Sequence, residues 1–118
     1  MSKLDIDQKN SLYYEYEESN QNAYTYVFVN ALTSNTSTWN GVIGKRVKDE
    51  GYVYLTYNFR GQINSSFDES ISLTSEIIIS DLLKLINHLN LKNIILCGLS
   101  IGGLYAAIAS LEKIDVKV

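Results

Sequence analysis

The chain has 118 residues, a length suited to one domain, and with 46% hydrophobic and 19% charged residues it can build a core. A net charge of −3 leaves no basic surplus to neutralise phosphates, so nucleic acid is not an expected partner. A single cysteine, Cys97, excludes an internal disulfide framework and a cysteine-rich metal site. A single histidine, His88, means that imidazole chemistry must use that residue or one supplied from elsewhere.

The N-terminus lacks the apolar core of a signal peptide, which predicts a cytoplasmic address. Leu4 to Asp7 and Leu12 to Glu17 read as two short strands joined by the polar turn Gln8-Lys9-Asn10. After a polar loop from Glu18 to Ala23, the β-rich run Tyr24 to Val29 ends at Asn30. Ser34 to Thr38 is a polar loop that supplies helix caps, and Trp39 to Glu50 reads as an amphipathic helix with Val42, Ile43 and Val47 on one face. Gly51 is its expected stop. Tyr52 to Tyr57 is a near-continuous apolar strand of the kind covered on both faces. A long polar loop from Asn58 to about Ser72 precedes a second helix, Leu73 to Leu89, whose stripe is Ile78, Leu82, Leu85 and Leu89. Asn90 suits the left-handed position that ends it. Asn93 to Cys97 is another buried strand, and Ile101 to Leu111 a last helix. Strands alternating with helices predict an α/β fold with a mostly parallel sheet.

The chemistry concentrates in Leu96-Cys97-Gly98-Leu99-Ser100-Ile101-Gly102-Gly103. Gly98, Ser100 and Gly102 form G-x-S-x-G, a short pattern that gains meaning from its setting between a buried strand and a helix rich in alanine. A serine at so sharp a turn takes a strained backbone conformation, and side chains two residues to either side would collide, which favours glycine at 98 and 102. The turn also sets Ser100 at a helix N-terminus, where free N–H groups and the dipole favour negative charge. The N–H of Ile101 is then one expected oxyanion donor. Three other readings compete. Ile94 to Leu111 carries no charge and could span a membrane, but its glycines and serines and the amphipathic helices upstream argue against this. A phosphate-binding turn lacks the required glycine spacing and lysine. A tight strand–helix junction without chemistry stays open.

Around Ser100 the chain resembles the N-terminal half of an α/β-hydrolase. Four segments carry the resemblance, from Leu4 to about Lys113: Val27-Phe28-Val29-Asn30-Ala31-Leu32-Thr33 at the place of the oxyanion loop, Trp39 opening the first helix, Asn58-Phe59-Arg60-Gly61-Gln62 at the place of the Asp-x-Arg-Gly loop, and Gly98 to Gly103 at the nucleophile elbow. The resemblance implies a mostly parallel sheet of about five strands with helices on both faces. It implies Ser100 as nucleophile and the N–H groups of Leu32 and Ile101 as the oxyanion hole. Asn30 and Ala31 replace the usual histidine and glycine, and Asn58 the usual aspartate. Arg60 is read as ordering its loop.

In that superfamily the triad acid and histidine follow the serine. Only Ile101 to Val118 follow here, with Asp115 but no histidine. His88 closes the helix before the Ser100 strand, so a strand of five residues, roughly 16 Å, separates it from Ser100. It is read as structural, Cys97 as a small packing residue, and the nine tyrosines as sheet residues. The expectation is a single partial domain over 1–118, truncated after the elbow helix, from a serine hydrolase acting on an ester, thioester or related small-molecule acyl substrate. The alternatives are a non-catalytic split or truncated fragment and an acyltransferase. No cofactor, metal or membrane is expected. A complementary chain, or self-association through the open sheet edge beyond the Ser100 strand, is the expected macromolecular partner.

Overall fold

The computed structural model describes residues 2–17, 24–112 and 116–117. The loop expected at Glu18 to Ala23, and Asp115, lie outside the described residues. One sheet runs in the order β1-β2-β4-β3-β5-β6. Its strands are β1 (Ser2–Asp5), β2 (Ser11–Tyr16), β3 (Thr25–Val29), β4 (Val53–Tyr57), β5 (Ile94–Gly98) and β6 (Val116–Lys117). β1, β2 and β4 pair antiparallel, whereas β4, β3, β5 and β6 pair parallel. The first two strands can be antiparallel because a short polar turn joins them. In it the Asp7 carboxylate accepts from the N–H groups of Lys9 and Asn10, both at 2.9 Å. The later strands need helical crossovers and so run parallel.

The sequence reading ends the sheet at the Ser100 strand. The structure corrects this: β6 follows, pairing with β5 at Ile94 and Ile95.

Alternation along the strands divides the two faces. Val27, Val29, Leu55, Tyr57 and Leu96 point to one side. There they pack on Ile78, Leu82, Leu85 and Ile86 of α3 (Ser75–His88) and on Tyr105, Ala106 and Ala109 of α4 (Ile101–Glu112). Phe28 and Tyr54 point to the other side. Phe28 stacks on Trp39, with ring centres 4.6 Å apart and planes 7° from parallel, and Tyr54 lies 5.7 Å from Phe28. Six of the nine tyrosines lie in strands, and Tyr105 is buried in α4. Ile94–Gly98 as strand and Ile101–Glu112 as a separate helix dispose of a continuous span over that charge-free stretch. No helix of the described residues is long and apolar enough to cross a membrane.

The expected helix Trp39 to Glu50 is two helices, α1 (Ser37–Asn40) and α2 (Val42–Asp49), broken at Gly41. The break turns Val42 and Ile43 to solvent, 86% and 44% exposed, and brings Gly44 to the sheet. A Cβ on Gly44 would meet the Tyr54 hydroxyl and the Trp39 carbonyl, so α2 seats on the aromatic face through an absent side chain. The helix stops follow the reading: Gly51 (φ 85°) and Asn90 (φ 53°) are left-handed. Thr74 caps α3, its side chain accepting from the Ile77 N–H at 3.2 Å.

A buried ion pair ties the loop after β4 to α3. The Arg60 guanidinium donates twice to Asp81, Nε to Oδ2 at 2.7 Å and NH2 to Oδ1 at 2.9 Å, with both side chains nearly inaccessible. This pairing raises the Arg60 pKa further above its ordinary value. Asp81→Asn leaves the guanidinium buried without a counter-charge and is expected to cost about 3 kcal/mol in urea denaturation. Replacing both partners by apolar residues (Arg60→Met with Asp81→Leu) is expected to cost less than the single change; an equal or larger loss would show that the pair does not act as a unit.

Candidate active site

The C-terminal ends of β3, β4 and β5 lie side by side in the order β4-β3-β5, and the expected site residues extend from them. β5 ends at Gly98. The Leu99 N–H donates to the Val29 carbonyl at 3.0 Å, carrying the ladder one residue past the strand. Ser100 then takes φ 57°, a left-handed conformation that costs an L-residue roughly 1–2 kcal/mol. The chain turns at once into α4, with the Gly102 N–H donating to the Leu99 carbonyl at 2.9 Å and the Gly103 N–H to the Ser100 carbonyl at 3.0 Å. Both elbow glycines are required by space. A Cβ at Gly98 would overlap the Gly102 carbonyl and the Gly103 nitrogen. One at Gly102 would overlap the carbonyl oxygens of Val29 and Asn30. The first turn of α4 thus packs backbone to backbone on the ends of two strands.

Ser100 is exposed. Ile101 opens α4, so its N–H has no acceptor within the helix and, with the dipole, favours an anion beside Ser100. Leu32 is in the loop that leaves β3 and is 58% exposed, as Leu99 is 42% and Leu104 52%, giving the segments that bracket Ser100 an apolar rim.

That loop stands on a buried amide network. Asn30 is fully inaccessible. Its Oδ1 accepts from Trp39 Nε1 at 2.7 Å, and its Nδ2 lies 2.8 Å from the Tyr57 carbonyl, 3.1 Å from Asn58 Oδ1 and 3.0 Å from Gln62 Oε1. Asn58, also inaccessible, accepts from the Thr36 N–H at 3.0 Å and donates to the Ile63 carbonyl at 2.7 Å. Two of the three departures from the resembled pattern, Asn30 and Asn58, are therefore in contact with each other. Neither brings a charge into a site that could not solvate one.

His88 lies at the exposed C-terminal end of α3, its ring edge-on to Tyr14 with centres 6.4 Å apart. From there the chain enters β5 at Ile94, so the whole strand separates His88 from Ser100, as the sequence reading expects. Cys97 is half-buried on the side of Phe28, and burial pushes its thiol pKa up, away from the thiolate. Arg60 orders its loop through Asp81, a partner the sequence reading missed. The signal was there: an aspartate beside Leu82 in the buried stripe of α3 asks for a cation. Tyr57 Oη is buried without a partner among the described residues, and burial, reinforced by Asp81, raises its pKa so that it stays a neutral phenol. Among the described residues no cluster of His, Cys, Asp and Glu could hold a metal ion. A groove of about 670 Å³ between α3 and α4, floored by Ile79, Leu83 and Ile108, contains no elbow residue.

No family model and no curated protein matches the sequence. Solved structures do. A carboxylesterase structure from the ammonia-oxidising thaumarchaeon Nitrososphaera gargenis is 24% identical with a TM-score of 0.87, over 98% of this chain and 42% of its own. MGS-M2, an α/β hydrolase from a Medee basin deep-sea metagenome library, is 25% identical with a TM-score of 0.81 over the same shares. A bromoperoxidase from Bacillus anthracis is 24% identical with a TM-score of 0.84, over 98% of this chain and 41% of its own. The chain therefore has the α/β-hydrolase fold, and spans about two-fifths of the length of these structures.

The glycine contacts give a graded test by thermal denaturation. Gly98→Ala and Gly102→Ala are each expected to destabilise by about 3 kcal/mol, the upper range for overpacking. Gly103→Ala, whose Cβ would meet only the Gly98 carbonyl at an ordinary 3.7 Å, is expected to be neutral or to stabilise by up to about 1 kcal/mol through helix propensity. Equal losses at all three positions would contradict the close approach.

Proposed function

We propose that this chain is the nucleophile-bearing part of a serine hydrolase that cleaves an ester, thioester or related acyl bond of a small molecule. The observation that carries the reading is the left-handed Ser100 between two glycines that space requires, exposed at the N-terminus of α4. A purely structural junction has no need of a non-glycine residue at φ 57°; strain of this kind gathers at functional sites. The names of the solved structures of like fold, a carboxylesterase and other hydrolases among them, point the same way.

In the proposed reaction Ser100 Oγ bonds to the acyl carbon while its proton passes to a base, and the carbonyl π pair moves onto oxygen. That oxyanion accepts from the N–H groups of Ile101 and Leu32. The tetrahedral species collapses, the bond to the leaving alkoxide or thiolate breaks, and the base returns the proton to it. Water then releases the acyl group from Ser100, or a second alcohol or thiol does so in acyl transfer. His88 lies a strand's length away, out of reach of Ser100, so the proposed base is another group. A second reading, a non-catalytic fragment that joins a complementary chain or a second copy, draws on the β5 edge. Among the described residues that edge is paired only at Ile94 and Ile95, leaving Leu96 to Gly98 open.

Without a base within reach of Ser100, turnover of an activated ester is expected about 10⁴- to 10⁶-fold below that of a complete triad. Added imidazole stands in for the missing base. The rate at which a fluorophosphonate modifies Ser100, followed by mass spectrometry, is expected to rise in proportion to imidazole and to vanish in Ser100→Ala. Modification unaffected by either change would count for the non-catalytic reading; rapid labelling without imidazole would show that a base is already in place.

A further inference from the structure

We infer that Gln62 is the positioning residue that aims the Leu32 N–H at the oxyanion. The inference rests on the reading of Ser100 as nucleophile and deepens it. Gln62 belongs to the loop after β4, yet its amide spends its full hydrogen-bonding capacity across two loops. Oε1 accepts from the Phe59 N–H at 2.8 Å and from Asn30 Nδ2 at 3.0 Å. Nε2 donates to the Ala31 carbonyl at 3.1 Å and to the Leu32 carbonyl at 3.2 Å. The orientation of the amide follows from its partners, because a backbone N–H can only donate and a carbonyl can only accept.

The consequence comes from peptide geometry. No peptide bond among the described residues is cis, and across a trans peptide the C=O and the next N–H point in opposite directions. Holding the Ala31 carbonyl toward Gln62 turns the Leu32 N–H to the far side of that peptide plane. Holding the Leu32 carbonyl does the same for the Thr33 N–H. Ser34 closes the loop at its ends: its hydroxyl accepts from the Ala31 N–H at 2.8 Å, and its N–H donates to the Ala31 carbonyl at 3.2 Å. Among the described residues the Leu32 carbonyl accepts from Gln62 alone. The Ala31–Leu32 peptide that bears the implied donor is thus held at its carbonyl by Gln62 together with the N–H and hydroxyl of Ser34, the following peptide is held by Gln62, and Gln62 is fixed in turn by the inaccessible Asn30 at the end of β3. An exposed loop residue gains the rigidity of the sheet through one side chain, which is the support an oxyanion donor needs if it is not to reorganise during the reaction.

Two variants of the whole chain separate this role from simple stabilisation of the 59–62 turn. Gln62→Leu removes both halves of the amide. Gln62→Glu, compared at pH 8, keeps the acceptor for Phe59 and Asn30 and loses the donor to the two carbonyls. The first readout is the residual dipolar coupling of the Leu32 N–H in a weakly aligned NMR sample, which reports its direction without requiring activity. In Gln62→Glu the Leu32 coupling is expected to change, because only Ser34 is left on the Ala31 carbonyl, while those of Val29 and Phe59 hold. The second is the imidazole-dependent rate of Ser100 phosphonylation, expected to fall about tenfold or more, against the roughly 10²- to 10³-fold lost with an oxyanion donor outright. A Leu32 coupling unchanged in Gln62→Glu would overturn the inference, as would a changed coupling with an unchanged rate. If Ser100 of the unaltered chain is not modified at all, the hydrolase reading fails by itself, and the Leu32 coupling alone judges whether Gln62 holds that peptide.

Discussion

Between the end of β5 and the first turn of α4 there is no room for a side chain. Gly98 lies against the backbone of Gly102 and Gly103, and Gly102 against the carbonyls that end β3. Much of the upper part of the molecule follows from that contact. The chain must reverse direction within two residues, so Ser100 takes the left-handed conformation, at a cost that packing elsewhere must cover. The α4 N-terminus is pressed onto the strand ends, where the Ile101 N–H has no acceptor within the helix. Tyr105, Ala106 and Ala109 then fall on the apolar face of β3 and β5, and small residues at 106 and 109 let the helix lie close.

The loop across from the elbow is held by different means. No glycine and no charge is used; three side-chain amides, Asn30, Asn58 and Gln62, join the end of β3 to the loop after β4. A buried amide can donate and accept at once without the desolvation penalty of an ion. Among the described residues the buried charges, Arg60 and Asp81, meet in a two-bonded pair and neutralise each other. The departures at Asn30 and Asn58 therefore read as one change in the chemistry of a single contact, with hydrogen bonding retained.

Periodicity made the strands, α3 and α4 legible, because burying one face dictates spacing whatever the partner. The stops at Gly51 and Asn90 were legible because few residues tolerate positive φ. The turn at Ser100 was legible because its pattern falls within five residues, although the contact that requires Gly102 comes from the distant Val29 and Asn30. The split of α1 from α2 was not, since Val42, Ile43 and Val47 make a passable apolar face and only the fit of Gly44 under Tyr54 chooses another. The buried stripe of α3 signals that Asp81 needs a cation but not which one, and nothing in the sequence marks Gln62. Each depends on a partner 21 to 32 positions away, brought near only when β3, β4 and α3 assemble. The short β6 escaped notice because two residues carry no readable pattern.

We propose that the strained turn at Ser100 and the amide-held loop together present two N–H groups to one oxyanion. A crystal structure of the Ser100 phosphonyl adduct tests it most directly, because the phosphonyl oxygen occupies the place of that oxyanion. That oxygen is expected within about 2.7–3.1 Å of the backbone nitrogens of both Ile101 and Leu32, with Ser100 still at positive φ. An adduct oxygen turned to solvent, or a Ser100 relaxed to negative φ, would contradict it.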